Sequence, residues 1–150
     1  MGVLIKNGTI VTAIDQYVGD VRCDDGKIVG IGESLDKKSG DQVIDASGQY
    51  VFPGGLDPHV HMELPFMGTV SADDFETGTA AGVAGGTTSI VDFAIQNFGQ
   101  GLYPALHPWR EKAEGESVID HAFHMIARGL TTQGPHAIEP PAPRDGLTPV

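Results

Sequence analysis

The sequence predicts an α/β fold built in two parts, and three observations carry that expectation. Residues 1–50 hold short β-branched and apolar runs separated by Asn7-Gly8 and Asp25-Gly26, dipeptides that tolerate the positive φ of tight hairpin turns. Residues 51–124 change rhythm, alternating extended apolar runs with helical stretches as βα units on a parallel sheet do. The run 87–94 is β-branched and apolar on both faces, which suits a strand covered on both sides.

Taken in order, strands are expected at 3–6, 9–12, 17–23, 27–31 and 42–45, giving a small β-sandwich-like layer over 1–50. A strand at 51–61 leads to a loop at 62–70. A helix is expected at 73–83, with Ser71 as N-cap, Asp73 and Asp74 in its first turn and Gly85-Gly86 as its stop. The strand 87–94 and a loop follow. The stretch 102–113 is helical, with Pro104 and Pro108 confining regular helix to the part after Pro108. A third strand of this part spans 117–124. Residues 125–150 hold five prolines in their last sixteen positions and no periodic apolar pattern, the mark of a disordered tail. No internal repeat is visible.

Bulk properties exclude several function classes. The 150 residues carry a net charge of −11, with 9 basic against 20 acidic side chains. Nucleic-acid binding rests on phosphate neutralisation by Lys and Arg, so no nucleic-acid partner is expected, and no anionic membrane surface either. No run of about 20 apolar residues exists to span a bilayer. The start of the chain lacks the shape of a signal peptide, and Lys6 stands where myristoylation needs Ser or Thr. The single cysteine, Cys23, excludes an internal disulfide and reads as a structural thiol, which fits a reducing cytoplasm.

The chemistry centres on Gly54-Gly55-Leu56-Asp57-Pro58-His59-Val60-His61. The glycine pair lets backbone pass closely. In an extended strand, residues i and i+2 share a face, so His59 and His61 project together while Val60 turns into packing. Two neutral imidazoles converging from one strand make half of a site for zinc or a similar ion.

The run from Val51 through Met62-Glu63-Leu64-Pro65-Phe66 resembles the metal-binding first barrel strand of the cyclic amidohydrolases. Within that superfamily, His61 to Thr69 is most similar to the dihydropyrimidinase and D-hydantoinase family. The likeness continues through Ala72-Asp73-Asp74-Phe75, Gly78-Thr79-Ala80-Ala81, Ala84-Gly85-Gly86-Thr87-Thr88 and Val91-Asp92-Phe93, and fades after about His124.

The resemblance implies that residues 1–50 are the N-terminal part of a β-sandwich, and that 51–124 are the first three βα units of a TIM barrel left incomplete in this chain. It implies hydrolysis of the cyclic amide of hydantoins or dihydropyrimidines to N-carbamoyl amino acids. Two divalent metals, usually zinc, would be bridged by a carbamylated lysine and a hydroxide, with His59 and His61 on the more buried metal. It also implies a homo-oligomer, a tetramer in full-length relatives, acting on a small cyclic amide. Asp57 either orients a ligand imidazole or neighbouring backbone, or makes a structural hydrogen bond at the strand's start. Asp92, ending the second strand, either supports the site or orders a loop. Leu64 and Phe66, on the loop after the ligand strand, either gate the substrate's exocyclic group or cover the barrel top.

His121 and His124, three residues apart, do not share a strand face, and the family places no metal histidine on this strand. His107 and His136 lie in proline-flanked segments and read as solvent-exposed. Asp73-Asp74 suits helix N-terminal electrostatics rather than paired-carboxylate catalysis. The family also requires a bridging lysine on the fourth barrel strand, two later histidines and a late aspartate serving as ligand and general base. None of Lys6, Lys27, Lys37, Lys38 and Lys112 lies on a barrel strand after the third. No catalytic residue is therefore assigned within this chain, and it is expected to be inactive alone. The rival readings are a non-catalytic folded remnant or interaction module, and a related enzyme acting on allantoin or dihydroorotate.

Overall fold

The computed structural model describes residues 2–129, and the chain divides after Pro53 into two compact units. The first unit contains β1 (Val3–Val11), β2 (Gln16–Asp24), β3 (Lys27–Gly32), β4 (Gln42–Asp45) and β5 (Tyr50–Val51). These form one sheet in the order β3-β2-β1-β4, with β5 also pairing β1. β1 runs antiparallel to β2 and parallel to both β4 and β5.

Asp25-Gly26 makes the expected tight turn, with φ of 50° and 73°. Asn7-Gly8 does not. The two strands expected at 3–6 and 9–12 are one continuous β1, and the dipeptide is absorbed as a bulge where the register against β2 shifts between Ile5 and Gly8. Asn7 takes a φ of 61°, its backbone N–H donates to Asp20 Oδ1 (2.9 Å), and its side chain donates to Asp45 Oδ1 (3.1 Å). A Cβ on Gly8 would lie 2.5 Å from Val51 Cγ2, so the close approach of β5 requires glycine there. The dipeptide's tolerance of positive φ is thus used to bend a strand rather than to reverse it.

Leu4, Ile10, Val21 and Ala46 are the buried apolar residues of this unit. Charges are buried beside them. Asp20 accepts from Lys6 Nζ (2.8 Å) and from the backbone N–H groups of Asn7 and Leu35. The Lys6 bond, followed by that of the Leu35 amide, holds the Asp20 carboxyl down at about 2. Arg22 pairs with Asp41 at 2.7 Å and also donates to the Asp36 carbonyl, tying the 33–41 segment to β2.

The second unit contains β6 (Gly55–Val60), the hairpin strands β7 (Pro65–Phe66) and β8 (Thr69–Val70), α1 (Phe75–Ala84), β9 (Thr87–Ile95), α2 (Leu102–Ala113) and β10 (Asp120–Ile126). β6, β9 and β10 form a parallel sheet with β9 in the middle, as βα alternation requires. The extended stretch expected at 51–61 is broken by Pro53 and Gly54 into β5 and β6. Along β9, Ile90, Asp92 and Ala94 are buried while their neighbours are only half-buried. The buried set faces a core of Met62, Phe75, Ile90 and Ala113, bordered by Val60, Ile119 and Phe123.

The N-cap of α1 is Asp74, not Ser71: the Asp74 carboxylate accepts from the N–H and the hydroxyl of Thr77 at 2.7 and 2.6 Å. Ser71 is engaged elsewhere. Its N–H donates to Leu64 O (2.9 Å) and its hydroxyl accepts from Leu64 N (2.8 Å), closing the base of the β7–β8 hairpin. That hairpin, inside the expected loop 62–70, turns at Met67 and Gly68 with φ of 49° and 82°. α2 runs without a break through Pro108. Pro104 lies in the first turn, where no intrahelical donor is needed. The bond lost at Pro108 is outweighed by the buried stripe of Ala105, Trp109 and Ala113. β10 starts at Asp120 and continues to Ile126, so the stretch expected as tail begins within a strand; residues 130–150 lie outside the described residues.

Candidate functional site

His59 in β6 and His61, the first residue past its end, lie on the sheet face opposite the helices. A Cβ on Gly54 would fall 2.0 Å from Thr88 Oγ1, so the backbone enters β6 pressed against the start of β9. Between Asp57 and Val60 the register against β9 shifts, a bulge at the residues that precede and include His59. Asp57 Oδ1 accepts from His59 N at 3.1 Å. Its contact is thus with the backbone at the bulge rather than with an imidazole. Beyond it, both histidines are exposed, with ring centroids 5.0 Å apart and planes at 87°.

The two imidazoles rest on Phe93 of β9, whose ring centroid lies 4.4 Å from that of His59 and 5.2 Å from that of His61. His124 of β10 completes the group. Its ring is 4.9 Å from Phe93, and its Nε2 is 3.2 Å from the carbonyl oxygen of Pro58. Phe93 carries no donor chemistry of its own; the signal for it in the sequence is its position one residue beyond Asp92, since alternation puts it on the face Asp92 does not occupy.

Asp92 lies on the other face. It is fully buried on β9 beside Val60, and accepts from Phe93 N (2.6 Å) and Met62 N (3.3 Å). Burial pushes its carboxyl above the usual carboxylate range, against the pull of these two amides. It therefore ties the backbone just past β6 to the middle of β9 and is not brought into the histidine cluster. His121 also faces the helices, with ring centroids 6.4 Å from Phe75 and 5.7 Å from Phe123. His107 is exposed on α2 beside Glu111. His136 lies outside the described residues.

Leu64 is half-buried and Phe66 is 62% exposed on the hairpin after β6. The hairpin base is held by the Ser71 bonds and by Lys112 Nζ, which donates to Glu63 O at 3.1 Å. A cleft of about 320 Å³ is lined by Pro65, Ile95, Trp109, Lys112 and Arg128 among others, and neither His59 nor His61 reaches it. Among the described residues, no three His, Cys, Asp or Glu side chains are grouped as a metal-holding set. No helix among them is long and apolar enough to cross a membrane.

No family model matches the chain. Curated relatives and solved structures do. The chain is 56% identical to the D-hydantoinase of Geobacillus stearothermophilus over 128 residues, covering 85% of the chain and 27% of that protein. It is 45% identical to the dihydropyrimidinase of Dictyostelium discoideum over 123 residues, covering 82% of the chain and 24% of that protein. The crystal structure of dihydropyrimidinase from Brevibacillus agri superposes with a TM-score of 0.87 at 47% identity, covering 93% of the chain and 30% of that structure. The chain thus spans about a quarter of the length of the curated relatives it matches. Over most of its own length the chain is similar to D-hydantoinases and dihydropyrimidinases, as about a quarter of such a protein.

Proposed function

We propose that this chain carries the first half of a metal site of a cyclic amidohydrolase, with β6, β9 and β10 as the first three strands of a TIM barrel and β1–β5 as part of a β-sandwich. The observation that carries the reading is the pairing of His59 and His61 on one exposed face at the C-terminal end of a parallel strand, where barrel enzymes place their chemistry. The donor set fits zinc: two imidazoles from one strand supply two of the ligands such an ion takes. The remaining donors, a bridging lysine, two histidines and an aspartate, have no counterpart on the described strands.

The substrate class is a hydantoin or dihydropyrimidine, whose ring amide is hydrolysed to an N-carbamoyl amino acid. An amide is a poor electrophile and water a poor nucleophile; a pair of divalent metals supplies a more acidic water and a polarised carbonyl. Within this chain, His59 and His61 hold the metal and Asp57 fixes the backbone at His59. Asp92 fixes the backbone just after His61, through Met62 N. Leu64 and Phe66 on the hairpin present apolar surface that screens the substrate's exocyclic group. The complete enzyme is cytoplasmic and a homotetramer.

The test is bound zinc per chain on the 150-residue protein after exhaustive buffer exchange, with the His59→Ala/His61→Ala double variant as control. One to two zinc ions, lost in the double variant, supports the reading and makes a hydantoin ring-opening assay worthwhile. Zinc equal in both proteins overturns it. Zinc near zero in the unmutated chain favours the second reading, a folded non-catalytic module, whose support is the lack of a third donor near the pair among the described residues. Activity on dihydroorotate or allantoin in place of hydantoin would reassign the substrate.

A further inference from the structure

The exposed face of the sheet holds more than the two candidate donors. β6 is bulged at the residues before His59, and a bulge in an edge strand is a soft place from which to hang a ligand. Two side chains hold it from opposite directions. Asp57 accepts the N–H of His59, and His124 reaches across β9 to place Nε2 3.2 Å from the Pro58 carbonyl oxygen, the peptide link that leads into His59. With its proton on Nε2, His124 donates this bond. Phe93 is shared by all three imidazoles: its ring centroid lies 4.4 Å from that of His59, 5.2 Å from that of His61 and 4.9 Å from that of His124. The two imidazoles are therefore not free rotors on an open strand. Each stands against the same phenyl ring, and His124 packs against that ring as well.

We propose that His124 and Phe93 are positioning residues for the His59–His61 pair: His124 fixes the bulged backbone at Pro58, and Phe93 fixes the two imidazole planes, so that the pair meets a divalent cation as a preformed chelate. The inference rests on reading His59 and His61 as metal donors, and it gives His124 a role other than ligand. Preorganisation of this kind acts on affinity by removing ordering that the ion would otherwise impose.

The experiment uses the 150-residue protein, with zinc chloride as probe and two readouts. The first is zinc affinity. The second, taken without metal, is the amide exchange rate at His59 and Val60 and the line shapes of the His59 and His61 imidazoles in ¹H–¹⁵N spectra. The variants are His124→Ala, His124→Gln, Phe93→Leu and the His59→Ala/His61→Ala control. His124→Gln keeps a side-chain donor and is expected to stay within about twofold of the parent. His124→Ala and Phe93→Leu are expected to lose about tenfold in zinc affinity, the scale found when groups supporting a ligand are removed. Without metal, His124→Ala should speed exchange at His59, and Phe93→Leu should broaden both imidazoles. Unchanged exchange and unchanged imidazole resonances in His124→Ala and Phe93→Leu, with far-ultraviolet circular dichroism confirming the fold, overturn the proposal. Failure of the parent chain to bind zinc strikes the metal reading instead, and the metal-free readouts still decide this one.

Discussion

Each of the two units buries a carboxylate in its sheet, and the two are held in opposite ways. Asp20, in the first unit, has a cation and two amides around it, and its carboxyl is held near 2. Asp92, in the second, has two amides and no cation in contact, and burial drives its carboxyl upward. A buried charge that is paired strengthens the ionised form, whereas one that is only hydrogen-bonded still carries a net desolvation penalty. Asp20 thus fastens a segment to a strand. Asp92 stands beside the strand that leads to the candidate metal donors and holds the backbone just past it at some cost.

The comparison can be sharpened by substitution. The largest effect is expected from the core that Asp92 borders. Phe75, the first residue of α1, is fully buried against Met62, Ile90 and Ala113, so Phe75→Ala should destabilise the protein by about 3–5 kcal/mol in urea unfolding. Leu4→Ala, its counterpart in the first unit, should cost about 2–5 kcal/mol. Next comes Asp92→Ala, which strips the Met62 and Phe93 amides of their acceptor at roughly 1–3 kcal/mol for each amide left buried. Asp92→Asn keeps an acceptor and removes the charge, so at pH 7 it should be milder than Asp20→Asn, which abandons Lys6. The reverse order would break the contrast drawn above.

Thr79→Val should cost about 1–3 kcal/mol, because the Thr79 hydroxyl accepts from Val118 N at 3.1 Å and joins α1 to the approach of β10. The smallest effect is expected at Arg110→Ala, whose exposed pairing with Glu114 should contribute less than about 0.5 kcal/mol.

Acid separates the two carboxylates by sign. Asp20 has a folded value below its unfolded one. The stability it contributes is fully present above pH 3.8 and is lost as pH falls toward about 2. Asp92 has a folded value above its unfolded one, so its ionisation opposes folding at neutral pH, and that opposition disappears as pH falls below 3.8. Urea midpoints followed from pH 6 down to pH 2 should therefore fall less steeply in Asp20→Asn than in the parent. In Asp92→Asn they should fall more steeply, because the relief on protonation is gone.

Much of this architecture was legible in the chain because it depends on short-range chemistry. Asp25-Gly26 turns where it was expected to, since both residues accept positive φ. The alternation of strands and helices after Pro53 follows the apolar pattern. Where legibility failed, a distant partner had intervened. Asn7-Gly8 has the same local chemistry as Asp25-Gly26, yet Asp20, Asp45 and the approach of Val51 hold it inside a strand. Ser71 is as good a cap as Asp74, but Leu64 claims it. Pro108 does not end α2, because Trp109 and Ala113 have a core to enter.

At the site, the sequence by itself determined that His59 and His61 share a face, because a two-residue period is a covalent property of an extended backbone. It determined in the same way that Asp92 and Phe93 face apart. Which of those two would lie under the histidines was decided by the register of β6 against β9, bulge included. That His124 would reach the Pro58 carbonyl from a strand two places away was decided by strand order in the sheet. Register and order are set by how three separate segments bury their apolar faces together, and no single segment carries that information.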